Sequence, residues 1–174
     1  PLLADADGVV ALDARIRVSA AAPGGGAAFA IRPYPMELVQ EVAWRDSKVV
    51  LRPIRPEDEA RHLEFLSRLD PTDIRMRVFY SRRSIERTEL ARLTQIDYER
   101  EMAFVATAPG PSGEEETLGV ARAVIDPDNI GAEFGIVVRS DLKGAGLGPL
   151  LMDKLMDYLR QRGTQQLHAT VLKE

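Results

Sequence analysis

Three glycines fall in the five positions 144–148, within Lys143-Gly144-Ala145-Gly146-Leu147-Gly148. Glycine lets a backbone bend sharply and approach a bound group closely. Where a helix begins, free N–H groups and the helix dipole favour an anion. The chemistry suited to this turn is therefore a phosphate or a pyrophosphate. A P-loop needs Gly-x-x-x-x-Gly-Lys-Ser/Thr, but here Gly148 is followed by Pro149 and Leu150. A dinucleotide fingerprint needs Gly-x-Gly-x-x-Gly at the start of a long βαβ array. Counted from Gly144, its third glycine position is Pro149.

Two elements must hold such a turn. Residues 133–138 are a short apolar run containing Ile136, Val137 and Val138, which at that length reads as a buried strand. From Leu147 the period changes: Leu147, Leu150, Leu151, Leu155, Tyr158 and Leu159 recur at three and four spacing, one face of a helix. Gly163 lies where a glycine ends a helix. Pro149 falls in the first turn, where its missing N–H costs little.

The turn resembles the Gln/Arg-x-x-Gly-x-Gly/Ala turn of the GNAT family of N-acetyltransferases, and the resemblance includes the strand before it. Lys143 stands where that family usually has glutamine or arginine, keeping the charge as a point charge and not a fork. The resemblance implies that the main chain of Lys143, Gly144, Ala145, Gly146, Leu147, Gly148 and Pro149 holds the pyrophosphate of acetyl-CoA. It also implies that the pantetheine arm runs along Ile136, Val137 and Val138 like an added strand, one N–H there polarising the thioester carbonyl. The fold implied is α+β, a mixed and mainly antiparallel sheet flanked by helices. The family continues with a further helix and two strands, so the unit is expected to be incomplete at its C-terminus.

Acetyl transfer to an amine needs an uncharged nucleophile, and a lysine amine has a pKa of about 10.4 in water. A base must take a proton. His62 and His168 are the only histidines. His62 reads as a surface residue of the first helix, and His168 points away from the face of Leu167 and Ala169. Carboxylates are the better candidates. Glu133 enters the strand at the place where many GNAT members keep a glutamate base; its other reading is an edge residue facing solvent. Glu101, which starts the strand after Asp97-Tyr98, is the second candidate. Partial burial beside the groove would make either a useful base. The family's general acid, a tyrosine, belongs to the absent segment, and Tyr98 is a weak substitute.

The remainder of the 174 residues reads in order. Residues 1–18 carry an alternating strand at 9–16 after an Asp7-Gly8 turn. They resemble the closing hairpin of the ATP-grasp subunit of acyl-CoA synthetases, where Asp13 would lie near metal and nucleotide; without the rest of that domain it is expected to be inert. Residues 19–35 are small, glycine-rich and proline-punctuated, a flexible linker. Residues 36–174 are the expected transferase domain. Within it we expect a short helix over 36–44 whose Leu38 and Trp44 pack inward, and a strand over 49–55. Helices follow over 57–69, 71–80 and 85–94, with Leu63, Leu66, Leu69, Met76, Phe79, Leu90 and Leu93 in the core. Their many arginines read as a solvated, salt-laced face or a docking surface for an acidic protein. Strands over 102–107 and 117–125 flank Glu114, Glu115 and Glu116, a solubilising tip. A last strand over 166–172 lies parallel to 133–138, because a helix connects them.

Cysteine is absent, which removes disulfides, thiolate metal sites and a cysteine nucleophile, and fits a reducing cytoplasm. A net charge of -4 argues against a general nucleic-acid binder. No apolar run has the length of a membrane span, and nothing calls for a metal. The combined resemblance implies a bacterial Pat-type protein lysine acetyltransferase fused to an ADP-forming synthetase, acting on a protein that could itself be an acyl-CoA synthetase. A small-amine acetyltransferase and an acyl-CoA-sensing regulatory module without transferase activity are the alternatives.

Overall fold

In the strand Glu101–Pro109, Met102, Phe104 and Ala106 turn to one face and Ala103 and Val105 to the other, and all five are buried. A sheet apolar on both sides needs a helical layer on each. The computed structural model describes residues 2–11, 32–73 and 86–170. The chain divides into two compact units, Pro1–Ala30 and Ile31–Glu174.

In the first unit β1 (Leu2–Ala4) and β2 (Val9–Ala11) form an antiparallel hairpin. At its turn the Asp5 carboxylate accepts the N–H groups of Asp7 at 2.9 Å and Gly8 at 3.0 Å. The rest of the strand expected over 9–16, Asp13 and positions 19–31 of the linker lie outside the described residues.

The second unit contains β3 (Gln40–Trp44), β4 (Ser47–Pro53), α1 (Glu59–Ser67), α2 (Arg87–Thr94), β5 (Glu101–Pro109), β6 (Glu115–Ile125), β7 (Gly131–Val138), α3 (Leu147–Arg162) and β8 (Gln166–His168). Strands β3 to β8 follow one another across a single sheet. Neighbours are antiparallel except β7 and β8, which α3 connects in parallel. This is the expected mixed, mainly antiparallel α+β architecture. Helix α3 lays Leu147, Leu151, Leu155, Tyr158 and Leu159 on the Phe104 face, each leucine contributing on the order of 2 kcal/mol. On the opposite face Phe65 of α1 and Leu69 just beyond it cover Ala103, Val105 and Val120.

Four expectations are corrected. The helix expected over 36–44 is a 3-10 turn, Met36–Leu38, followed by strand β3. Half-buried Val42 and Trp44 alternate with exposed Glu41 and Ala43, and pairing with β4 decides a run too short for its period to do so. The first helix is rotated relative to the expected stripe. Leu63 is exposed, whereas Asp58, His62, Phe65 and Leu69, at spacings of four, three and four, are buried. His62 is therefore an interior residue, its ring 5.8 Å from that of Phe65. Strand β8 stops at His168 instead of reaching 172 within the described residues. Finally, Glu115 and Glu116 lie inside β6 and are ion-paired. Of the helix expected over 71–80, positions 74–80, with Met76 and Phe79, lie outside the described residues. The next helix is α2, with Leu90 buried.

Candidate active site

Strand β7 carries the candidate site. It pairs with β6 from Ala132 opposite Ile125 to Val138 opposite Gly119. On its other edge it pairs with β8, among the described residues, at Gly131, Ala132 and Glu133. The N–H of Arg139 bonds the Leu118 carbonyl at 2.9 Å, and antiparallel alternation then turns the main-chain groups of Gly135 and Val137 toward β6 as well. Those of Phe134, Ile136 and Val138 face the edge that β8 leaves uncovered among the described residues. Such an edge can accept an extended chain as an added strand.

The open edge leads into the glycine turn. After a 3-10 turn at Ser140–Leu142, Gly144 has φ of 73° and Gly146 of 84°, a left-handed region that side chains disfavour. Gly146 is the N-cap of α3. The Ala145 N–H is used by the Leu142 carbonyl at 3.3 Å, and the Leu150 N–H by that of Gly146 at 3.5 Å. Pro149 has no N–H, and those of Leu147 and Gly148, in the first helical turn, lack intrahelical acceptors. The Leu147 side chain is core, so only its main chain can serve a ligand. Ile136 and Val138 pack toward α3 and Val137 toward the α1 face, all three half-buried. The Lys143 ammonium is ion-paired with Asp73. Asp73 also accepts the Ser140 hydroxyl at 2.6 Å, and Lys143 foremost, with Ser140, holds its carboxyl below the usual range.

Both candidate carboxylates lie on one face, in one row. Val124 stands opposite Glu101 in β5 and opposite Glu133 in β7, and Glu133 stands opposite His168 in β8. Cross-strand partners share a face, so two strand spacings, about 10 Å, separate the two glutamates. Between them Val124 is exposed. Glu101 accepts from the buried Arg122 guanidinium, which also donates to the Leu93 carbonyl. Glu133 is exposed and accepts the Thr170 hydroxyl at 3.0 Å. Tyr98 donates to the Ile54 carbonyl at 2.7 Å; burial, then the nearby Tyr34, pushes it up to about 12. A hydroxyl so held is a fixed donor within the fold.

Sequence reasoning missed a charge network beside this face. Arg52, 2% exposed, donates two 2.7 Å bonds to Asp58 and one of 3.1 Å to Glu115. Arg61 joins both carboxylates, and Thr107 donates to Glu115 at 2.7 Å. Burial alone would raise Asp58, but Arg52 and the Arg55 N–H bring it to about 2. Glu116 pairs with Arg68 and with Arg139, which follows β7 directly. The signal was Arg52 itself: a charge set in an apolar strand requires a partner. Among the described residues no group of three or more His, Asp or Glu could hold a metal, and no helix is long and apolar enough to cross a membrane.

Residues 69–174 match the model of the acetyltransferase (GNAT) family. The chain is 31% identical over 121 residues to an acetyltransferase of Pseudomonas aeruginosa, a match covering 70% of this chain and 64% of that protein. It thus spans less than two thirds of the curated relative. Among solved structures, the GNAT domain of S. lividans PAT superposes with a TM-score of 0.71 at 23% identity, over 80% of this chain and 82% of that one. A cAMP-binding acyltransferase from Mycobacterium smegmatis does so with a TM-score of 0.51 at 28% identity, over 79% of this chain and 40% of that one. The S. lividans likeness speaks for the fold.

Proposed function

The chain belongs to the acetyltransferase (GNAT) family, and on that footing we propose that it moves an acetyl group from acetyl-CoA to a lysine side chain of a protein, with Glu133 as general base. Acetyl-CoA is the co-substrate of this family. The observation that carries the reading is the edge of β7 that β8 leaves uncovered among the described residues, running into a turn where the Gly146, Leu147 and Gly148 N–H groups have no acceptor among them. From Val138 back to Glu133 is five residues, about 17 Å of strand, a span on the scale of an extended pantetheine arm. A coenzyme whose diphosphate sits at the turn would bring its thioester near Glu133.

In this reading Glu133 takes a proton from the lysine ammonium, directly or through water. The freed amine forms a C–N bond to the acetyl carbon, a main-chain N–H of β7 stabilises the charge on the carbonyl oxygen, and the C–S bond breaks as the second amine proton passes, through water, to the leaving thiolate, giving the amide and the coenzyme thiol. We assign Glu101 a supporting part because Arg122 engages it. The protein substrate rests on the combined resemblance: we read residues 1–18 as the closing hairpin of an ATP-grasp synthetase portion, 19–35 as linker and 36–174 as transferase. An acyl-CoA synthetase is accordingly the acceptor to try first, in a cytoplasmic setting.

Thiol release from acetyl-CoA, followed with an acyl-CoA synthetase as acceptor, tests this. Glu133→Gln is expected to lower kcat by about 100-fold or more, as loss of a general base does, with acetyl-CoA binding kept. Undiminished turnover would remove Glu133 from the role. Saturable acetyl-CoA binding with no thiol release from any protein or small amine would favour the sensing module.

A further inference from the structure

Trp44 is the single tryptophan of the chain. It ends β3 at the hairpin into β4, where Trp44 pairs with Ser47. Its indole Nε1–H donates to the Ala145 carbonyl at 2.9 Å, across 101 residues of sequence. No cis peptide bond occurs among the described residues, and a trans peptide sets its C=O and the following N–H antiparallel. With the Ala145 carbonyl drawn to the indole, the Gly146 N–H must point away from it, and that N–H has no acceptor among the described residues. The hairpin tip is held in its turn. Arg45 adopts a left-handed φ of 55° and its guanidinium lies 4.9 Å from the centre of the Trp44 ring. A non-glycine residue keeps such a conformation where its surroundings over-determine it.

We propose that Trp44 is a positioning residue for the coenzyme: its indole fixes the peptide between Ala145 and Gly146 so that the Gly146 N–H meets the diphosphate. The inference rests on the coenzyme reading above and extends it to a group outside β7, the turn and α3. The hairpin thereby becomes part of the binding apparatus. Because no other tryptophan is present, Trp44 emission reports the state of the turn, and the indole can be exchanged biosynthetically at this one position.

The test uses the full 174-residue chain, titrated with acetyl-CoA by calorimetry and by Trp44 emission. Wild type is expected to give a saturable emission change with the same Kd as the heat. Trp44→Phe is expected to raise Kd and KM for acetyl-CoA about five- to tenfold, the worth of one hydrogen bond, with kcat at saturation within about twofold. Replacing the indole by its benzothiophene analogue, which keeps the shape and removes only the donor, should give the same loss, and carries the test if Trp44→Phe folds poorly. Wild-type affinity without the indole N–H, or a kcat that falls as far as kcat/KM, would overturn the inference alone. Absence of heat and emission change in wild type would overturn the coenzyme reading and this inference with it.

Discussion

A carboxylate serves as a base or as a strut according to what its oxygens already hold, and Glu101 and Glu133 differ in this. Glu101 is engaged by Arg122, a buried guanidinium that also holds the Leu93 carbonyl. Glu101→Gln should therefore act through stability, lowering it by about 2 kcal/mol because a buried charge loses its partner. Glu133→Gln, at an exposed position, should leave the thermal midpoint unchanged within about 1 °C, since surface changes cost little. Differential scanning calorimetry of both variants separates the two roles. Asp58 belongs wholly to the strut class. Its ordinary value of 3.8 falls to about 2 in the folded chain, so the folded state binds fewer protons than the unfolded one across that interval. The stability from this shift is complete above pH 3.8 and is lost as pH falls through about 2. Asp58→Asn is expected to cost about 3 kcal/mol at pH 7 and to flatten the acid limb of stability between those two values, read by urea unfolding at stepped pH. Arg52 could have been found from its apolar neighbours, but its partners, Asp58 and Glu115, stand 6 and 63 residues away. No local pattern marks the second.

Among the elements, the strand–turn–helix unit was legible because each part announces itself locally. Strand β7 has β-branched residues, α3 has a helical stripe, and the joint has glycine. Gly146 is needed for its φ of 84° and not for space, since a Cβ there would meet nothing within 4 Å. Gly146→Ala should thus fold, at a cost of about 1–2 kcal/mol for the left-handed backbone. If the turn relaxes from that conformation, KM for acetyl-CoA should rise roughly tenfold, measurable by steady-state kinetics against acetyl-CoA. The hairpin of β3 and β4 was less legible. Residues 36–44 are too short a run for apolar spacing to fix a period, and only pairing of Val42 with Val49 and Trp44 with Ser47 makes a strand of 40–44. The acidic residues after Gly113 looked like a tip because charge in a turn usually seeks water. Here β6 begins at Glu115, whose carboxylate is drawn into the network around Arg52.

At the scale of the whole second unit, α3 packs on one face of the sheet and α1 on the other among the described residues, and the helix that carries the turn also supplies five of the fifteen buried residues of one core. Leu151 is fully buried in that core. Leu151→Ala should cost about 3 kcal/mol by transfer and cavity terms, seen as a lowered denaturant midpoint, without touching any group proposed to meet substrate. What the sequence determined by itself is whatever depends on near neighbours: the glycine turn that opens α3, the order and type of most elements, and the parallel pairing that a connecting helix imposes on β8. What only the tertiary structure decided depends on residues far apart in the chain meeting. It paired β7 with β8 at Gly131, Ala132 and Glu133, turned α1 so that His62 and not Leu63 is buried, brought Arg122 to Glu101, and set Trp44 against Ala145. Periodicity reports which side of an element is apolar. The partner for a charge or a carbonyl is chosen by the packing of the sheet and its helices, where a buried polar group must find a bond wherever the chain supplies one.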